Sequence, residues 1–474
     1  MRCSCRTRSA RPRCPGLPET KALIEPADSI DVAKRVLVVG GGGREHAIVE
    51  ALRRSQAEVY AAMGNQNPGI RRSSKDVLLV DVTAVERIVT WASEHRVELA
   101  VIGPEAPLER GIADALLAAG IPTVGPTREA ARLETNKEFT RTLMRDHGIP
   151  GCPQFWAFED PAGFEEFVQD SDFEFVIKPL GLTGGKGVRV WGDHFSTKAD
   201  ALAYGKEILA QRIGGVARFL VEEKLVGEEF SLQALCDGRT LVPMPLAQDH
   251  KRAYEGDKGP NTGGMGSYSD ADHLLPFLTK ADQEAALETM QKTVAAMAER
   301  GTPFQGILYG GFMATKDGPK LLEFNVRFAD PESMNVLPIL EDDFLQACER
   351  LVAGRLPASL RFARRATVCK YVVPMGYGSN PRARERLKVD EESIRQTGAK
   401  LYYASVEEKG GHLYTTTSRS LGIVGIAEHL EEADSISEEA LAFVAGSFYA
   451  RRDIGKPEVV RRKVERMREI REGR

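Results

Sequence analysis

The chain has 474 residues, 42% of them hydrophobic and 28% charged, with a formal net charge of −4. At roughly 150 residues per domain this leaves room for about three domains, and the charge offers no general affinity for nucleic acid or a membrane surface. No run approaches the roughly 18 apolar residues of a membrane span, and seven cysteines, an odd and scattered set, do not make a disulfide framework.

Residues 1–34 differ in composition from the rest. MRCSCRTRSARPRCPG is arginine-rich and free of acids, with Cys3, Cys5 and Cys14 but no histidine nearby. It lacks the apolar face of a transit peptide and reads as a disordered extension or an upstream start. Arg35–Val39 then reads as a buried strand, Gly40–Gly43 as a turn and Arg44–Leu52 as a helix. Glu58–Met63, Val85–His95, Leu99–Ile102 and Gly111–Ala119 continue the alternation of strand and helix, with Gly103-Pro104-Glu105 opening a loop. Such alternation predicts a parallel sheet covered by helices, with ligands at the carboxyl ends of its strands. Gly41, Gly42, Gly43 and Arg44 open the first helix, where free N–H groups and the helix dipole favour an anion. The third glycine of G-x-G-x-x-G is missing and Met63-Gly64-Asn65 carries no acid, which argues against a dinucleotide site.

Leu133–Pro150 reads as helical with Lys137 near its start, and Phe173–Lys178 as a strand. The glycine run Pro179–Gly187 lies between two strands and is not followed by the helix that a Walker A loop requires. It reads as a flap over a triphosphate, Lys186 being a mobile cation and Lys178 a fixed one; the alternative is a hairpin tip with a solvated lysine. Phe219–Leu235 reads as two strands around a turn at Gly227, framed by Glu222 and Glu229. Gln248–Ser269 reads as a long polar loop, either a cradle for a small anionic substrate or a linker.

Ile307–Thr315 and Lys320–Phe328 read as a hairpin. Period 2 puts Glu323, Asn325 and Arg327 on one face, and Leu322, Phe324, Val326 and Phe328 on the other. The first two offer oxygen ligands to Mg²⁺, which keeps phosphates and water in its shell. The arginine can neutralise a transferring phosphoryl group. Ala366–Val373 and Ala399–Ser405 read as strands, and Pro457–Arg474 as a helix whose stripe of Val460, Val464, Met467 and Ile470 is a packing face.

From about Arg35 onward the chain resembles the phosphoribosylamine–glycine ligase family of the ATP-grasp superfamily, in its archaeal-type branch. GGGGREHAI, GPEAPL, GPT with NKEFT, VIKPLGLTGGKGV, VEEKLVGEE, QDHKR, GPNTGGMGSYS and LLEFNVRFADPE follow the family's order, and QDHKR with GPNTGGMG is the most specific pair. The resemblance implies an α/β and α+β multidomain fold. A Rossmann-like parallel-sheet domain would span 35–136, an ATP-grasp domain 137–350 with a flap subdomain at about 139–218, and a mainly β domain 351–474. It implies that glycine, ATP and 5-phosphoribosylamine give glycinamide ribonucleotide, ADP and phosphate through glycyl phosphate, with Mg²⁺ or Mn²⁺ at Glu323 and Asn325. ATP would be bound by Lys137, Lys178, Gly184, Gly185 and Lys186, with Glu222 at the adenine hinge and Glu229 at the ribose. Arg327, Asp249 and Lys251 would be catalytic. Arg252, Asn261 and Thr262 would face glycine and its acyl phosphate, and the ribose phosphate of the amine would sit at Gly41, Gly42, Gly43, Arg44, Gly103, Pro104 and Glu105. The expected setting is a cytoplasmic monomer or weak dimer without nucleic acid or membrane partners. Two departures stand out. The flap reads GLTGGKG where many members have GLAAGKG, and Gly311 stands where archaeal-type members often carry a metal-binding glutamine.

Overall fold

Strands of continuous aliphatic sequence, each ending at a glycine or a polar turn, build the first sheet. β1 (Arg35–Val39), β2 (Glu58–Met63), β3 (Asp76–Leu79), β4 (Leu99–Ile102) and β5 (Thr123–Val124) pair in the order β3-β2-β1-β4-β5. Every pairing is parallel, and Val36–Val39 are wholly buried, as a strand covered on both faces requires. The strand order reverses at β1, so a crevice opens at the carboxyl ends of β1 and β4. Gly40–Gly43 and Gly103-Pro104-Glu105 both lie there. The segment expected as a loop after β4 forms a short helix, Glu105–Glu109. Pro107 falls in its first turn, where a missing N–H removes no helical hydrogen bond.

The computed structural model describes residues 33–181 and 187–473. The expectations for residues 1–32, and for Gly184, Gly185 and Lys186, lie outside the described residues. Lys34–Arg474 forms one compact unit.

The stretch expected as one helix from Leu133 is two, Arg132–Thr135 and Lys137–Asp146. Asn136 is extended between them, and its side chain caps the second helix by accepting the Phe139 N–H at 3.0 Å. Lys137 is therefore the first residue of that helix. A small sheet follows, formed by β6 (Phe155–Phe158), β7 (Phe175–Pro179), β8 (Arg189–Val190) and β9 (Phe219–Glu223) in the order β6-β9-β7-β8. It has its own aromatic core, with Phe164, Phe175 and Phe219 buried under helices Pro161–Asp170 and Lys198–Gln211.

β10 (Glu228–Asp237) does not pair with β9. It joins β11 (Leu241–Pro243) in a different sheet, so Gly227 marks a crossing between sheets and not a hairpin. The crossing is tight: a Cβ on Gly227 would stand 1.8 Å from the Ala314 carbonyl oxygen.

The polar segment 248–269 is ordered by pairings within itself and with one distant strand. β12 (Gln248–Asp249) pairs with β15 (Gly266–Ser269), while β13 (Arg252–Tyr254) and β14 (Lys258–Asn261) form a ribbon between them. β16 (Gln305–Thr315) and β17 (Gly318–Asn325) complete the central sheet, β11-β10-β16-β17. β15 also pairs with β18 (Ala366–Pro374), the buried strand of the carboxyl-terminal sheet, whose other face pairs with Leu421–Ala427. The substrate-like segment is thus the edge of a sheet made largely by the last third of the chain. On the terminal helix Pro457–Glu472, Val460 and Met467 are buried in the main core and Val464 and Ile470 pack against it.

Candidate active site

The hairpin β16–β17 supplies the floor. Its second strand ends at Asn325, three residues short of the expected Phe328, and it is not regular. The register shifts so that Gly311 faces Glu323 while Phe312 faces Leu321, leaving Leu322 as an extra, bulged residue. Leu321 therefore takes the core position expected for Leu322. The bulge has a use: the freed Leu322 carbonyl accepts Lys178 Nζ at 3.2 Å and Arg141 Nη2 at 2.8 Å.

Lys178 lies on β7 and its ammonium also meets Glu222 Oε2 at 2.6 Å. Arg141, one helical turn on from Lys137, donates to Glu222 Oε1 at 2.8 Å and to Oε2 at 3.1 Å. Burial works against a charged Glu222, yet Arg141 and Lys178 hold its carboxyl down at about 2. Glu222 was expected at the adenine hinge. Its side chain faces inward from β9 and pairs with Lys178. Lys137 reaches the carbonyls of Gly181 at 2.9 Å and Pro179 at 3.3 Å, beside the flap. Its pKa is lowered, first by burial.

Glu323 and Asn325 share one face of β17. Burial opposes ionisation of Glu323, but Lys251, Lys137, Lys178 and Arg327 together bring its pKa below the ordinary value. Asn325 is satisfied when its amide nitrogen donates to Glu134 Oε1 at 2.8 Å. That orientation leaves the amide oxygen as an acceptor beside Glu323. One carboxylate and one amide oxygen on a strand face fit a hard divalent cation that phosphates also hold. A Cβ at Gly311 would sit 3.2 Å from the Tyr309 ring, so that ring borders the place of the absent third ligand.

Arg327 lies beyond the end of β17. It bridges Glu105 Oε2 and Glu134 Oε1, each at 3.1 Å, and so ties the first sheet's loop to the hairpin. Burial raises the Glu134 carboxyl to about 7; Glu105, despite burial, is held at about 2 by Arg327 and Arg44.

From the segment 248–262, Lys251 meets Glu229 at 3.2 Å and Glu323 at 3.9 Å. Glu229 first, against burial, raises the Lys251 pKa well above the usual lysine value. Asp249 borders the same cavity as Glu229, Lys251 and Tyr309. Arg252 does not join them. Alternation along the ribbon turns it away, to Asp193 and the Gly259 carbonyl. Asn261 stands opposite Arg252 in the ribbon. Thr262 Oγ1 donates to the Lys251 carbonyl at 2.9 Å and accepts the Gly264 N–H at 3.1 Å, shaping the turn from within.

The glycine loop of the first sheet is partly self-occupied. Gly42 N–H donates to Glu45 Oε2 at 2.6 Å, and Arg44 donates to Glu45 Oε1 at 2.5 Å and to the Phe328 carbonyl at 3.1 Å. Arg44 therefore meets Glu45, whose side chain itself lies against Gly40 and Gly103. A Cβ on Gly103 would lie 2.1 Å from Glu45 Oε1, so a side chain there would displace Glu45.

Arg141, Glu134 and Tyr309 were missed in the sequence. Arg141 carried a faint signal, being four residues after Lys137 on the same helix face. The others are singled out only by tertiary packing.

A parallel-sheet domain, a four-stranded flap sheet and a lysine-ringed hairpin carrying an acid and an amide define an ATP-grasp ligase. Family models described as the N domain, the ATP-grasp (A) domain and the C domain of phosphoribosylglycinamide synthetase match residues 34–134, 135–333 and 367–457. The chain belongs to this family, the phosphoribosylamine–glycine ligases of purine biosynthesis. It is 51% identical over 437 residues to the phosphoribosylamine–glycine ligase of Methanothermobacter thermautotrophicus, covering 92% of this chain and 100% of that one. The enzyme of the same name from Thermococcus kodakarensis is also 51% identical over 437 residues, at 92% and 99% coverage. The crystal structure of phosphoribosylamine–glycine ligase from Thermotoga maritima superposes with a TM-score of 0.76 at 29% identity, over 88% of this chain and 99% of that one. A biotin carboxylase domain from Hydrogenobacter thermophilus shares the fold, with a TM-score of 0.68 at 17% identity over 93% and 95% of the two chains.

Proposed function

We propose that the chain joins glycine to 5-phosphoribosylamine with cleavage of ATP to ADP and phosphate. A carboxylate is a poor acyl donor to an amine, so it must first be activated. A glycine carboxylate oxygen attacks the γ-phosphorus and ADP leaves. The amine nitrogen then attacks the carbonyl carbon of glycyl phosphate, phosphate leaves with that oxygen, and the nitrogen loses a proton. The observation that carries this reading is the β16–β17 hairpin with its cations: Lys251 stands 3.9 Å from Glu323, and Lys178 is held at the neighbouring Leu322 carbonyl at 3.2 Å.

Lys137 and Lys178 hold the phosphates, with Glu222 and Arg141 keeping Lys178 in place. Glu229 lies toward the ribose, where Lys251 orients it. Arg327 neutralises charge on the transferring phosphoryl group, and Lys251 and Asp249 face glycine. Glu323 and Asn325 would hold Mg²⁺ or Mn²⁺, which when bound draws charge from the phosphate oxygens. Gly184, Gly185 and Lys186 would cover the triphosphate. The amine substrate occupies the crevice of Gly41, Gly42, Gly43, Gly103, Pro104 and Glu105, which opens beside Arg327. Thr262 acts by holding the Lys251 backbone. Arg252 and Asn261 shape the ribbon. The reading keeps three domains at 35–136, 137–350 and 351–474, with β12 and β15 lent to the last sheet. The chain would work as a cytoplasmic monomer or weak dimer; among the described residues no helix is long and apolar enough to cross a membrane.

The test is ADP release with glycine and freshly made phosphoribosylamine, each omitted in turn and glycine replaced by other amino acids. Release that needs both substrates and prefers glycine is expected, with Glu323→Gln slower by ~10²–10³-fold. Release indifferent to glycine would refute the reading.

A further inference from the structure

We propose that Asn67 is a positioning residue for the amine substrate: it ties the peptide between Gly41 and Gly42 to the carboxyl-terminal domain and so keeps that loop ready for an anion. This deepens the reading above and rests on it, since that reading places phosphoribosylamine in the crevice. Nothing in the sequence singles Asn67 out. Its role emerges only when the last domain is packed against the first.

Asn67 follows β2 and is wholly buried. Both ends of its amide are used. Oδ1 accepts the N–H groups of Gly69 at 3.0 Å and Ile70 at 3.1 Å, capping the short helix Pro68–Ser73. Nδ2 donates to the Gly41 carbonyl at 3.0 Å and to the Tyr403 carbonyl at 2.7 Å. The first carbonyl belongs to the glycine loop of the parallel sheet, and the second ends the strand Lys400–Tyr403 of the last domain. Asn65 repeats the bridge at longer range, from Nδ2 to the Gly41 carbonyl at 3.4 Å and to the Ala404 carbonyl at 3.2 Å.

The Gly41 carbonyl and the Gly42 N–H belong to one planar peptide group, so fixing one fixes the other. Asn67 takes the carbonyl end, and Glu45 Oε2 accepts the N–H end at 2.6 Å. Glycine on both sides leaves such a peptide free to flip. A flip would aim the oxygen where the N–H now points, at the start of the helix Gly43–Arg54, and repel an anion there. Asn67 opposes the flip by giving the oxygen a buried donor that it would lose.

The far anchor is itself fixed. His46, on the same helix, stacks on Tyr403 with ring centroids 6.2 Å apart, and its Nδ1 accepts the Tyr403 N–H at 2.8 Å. Burial lowers the His46 pKa to about 3, so the ring is neutral and Nδ1 remains an acceptor near neutral pH. The Tyr403 backbone is thus held by its N–H through His46 and by its carbonyl through Asn67. The packing leaves no slack, since a Cβ on Gly69 would stand 1.9 Å from His46 Cε1. The last domain bears on the crevice here through backbone groups, which no side-chain motif records.

Calorimetric titration of the full chain with the product, glycinamide ribonucleotide, tests this together with steady-state kinetics. Asn67→Ser keeps a cap for the short helix but loses both donated bonds. It should raise the glycinamide ribonucleotide Kd and the phosphoribosylamine KM ~10-fold. Asn67→Asp keeps shape and cap but sets a carboxylate against two carbonyls, and should raise both ~30–100-fold. The ATP and glycine KM values should stay within about twofold. Asn65→Ala loses only the longer bridge and should show a rise of ~2–3-fold; no change in it would overturn the role if neither Asn67 variant folds. All three KM values rising together, or an unchanged phosphoribosylamine KM in folded Asn67→Ser, would also overturn it. Gly42→Ala separates the two claims, because it puts a methyl against Glu45 without touching Asn67. Weakened glycinamide ribonucleotide binding in Gly42→Ala beside full affinity in Asn67→Ser would sink the positioning role alone. A wild type that does not bind glycinamide ribonucleotide would refute the function itself, and the positioning role with it.

Discussion

The two sides of the active centre are built on opposite terms. On the phosphate side the charges are paired among the described residues: Lys178 and Arg141 on Glu222, Arg327 on Glu105 and Glu134, and the bulged Leu322 carbonyl filled by two donors. Around the segment 248–269 Asp249 Oδ1 is buried with no hydrogen-bond partner. The first side is held rigid before ATP arrives, so its cations need little rearrangement during phosphoryl transfer. The second leaves a buried acceptor open beside the cavity that Asp249, Lys251 and Tyr309 line.

The contrast predicts opposite responses to removing one charged group. Arg141→Met leaves Glu222 buried with half its partners gone and should cost about 3–5 kcal/mol of stability, read from chemical denaturation. Restoring most of that loss in Arg141→Met/Glu222→Met would show that the pair, and not the packing, is responsible. A loss under ~1 kcal/mol from the single change would break the comparison.

Asp249→Asn should behave in the other way, leaving stability near neutral pH unchanged or raised by up to ~1 kcal/mol, because it removes an unpaired carboxyl. The pH dependence sharpens this. The folded chain keeps the Asp249 proton at pH values where the unfolded chain, near 3.8, has given it up. The folded form binds more protons in that window, so this group's contribution to stability declines as pH rises from about 3.8. Denaturation midpoints measured across pH should show the decline in the wild type and a flatter profile in the variant. Identical profiles would show that Asp249 is already satisfied.

Legibility in the sequence followed the range of the interactions. β1 and β4 match their expected ends because their aliphatic runs stop at Gly40 and Gly103, a purely local signal. Segment 248–269 read as a loop because it is rich in glycine and charge; its strands pair with one another, and β15 is anchored on β18, about a hundred residues on. The site residues on β17 were legible from period 2, but the bulge at Leu322 was not, since it depends on register against β16. Glu222 showed its presence but not its direction. Whether a strand-end carboxylate faces solvent or a buried lysine is decided by the partner strand.

Where the carboxylate oxygens of glycine go is the most direct test of the centre as an acyl-activating site. Glycine labelled with ¹⁸O in its carboxylate, turned over with ATP and phosphoribosylamine, should pass one labelled oxygen to the phosphate released in each cycle. Phosphate free of label would mean that the carboxylate never attacked the γ-phosphorus, and would contradict the account.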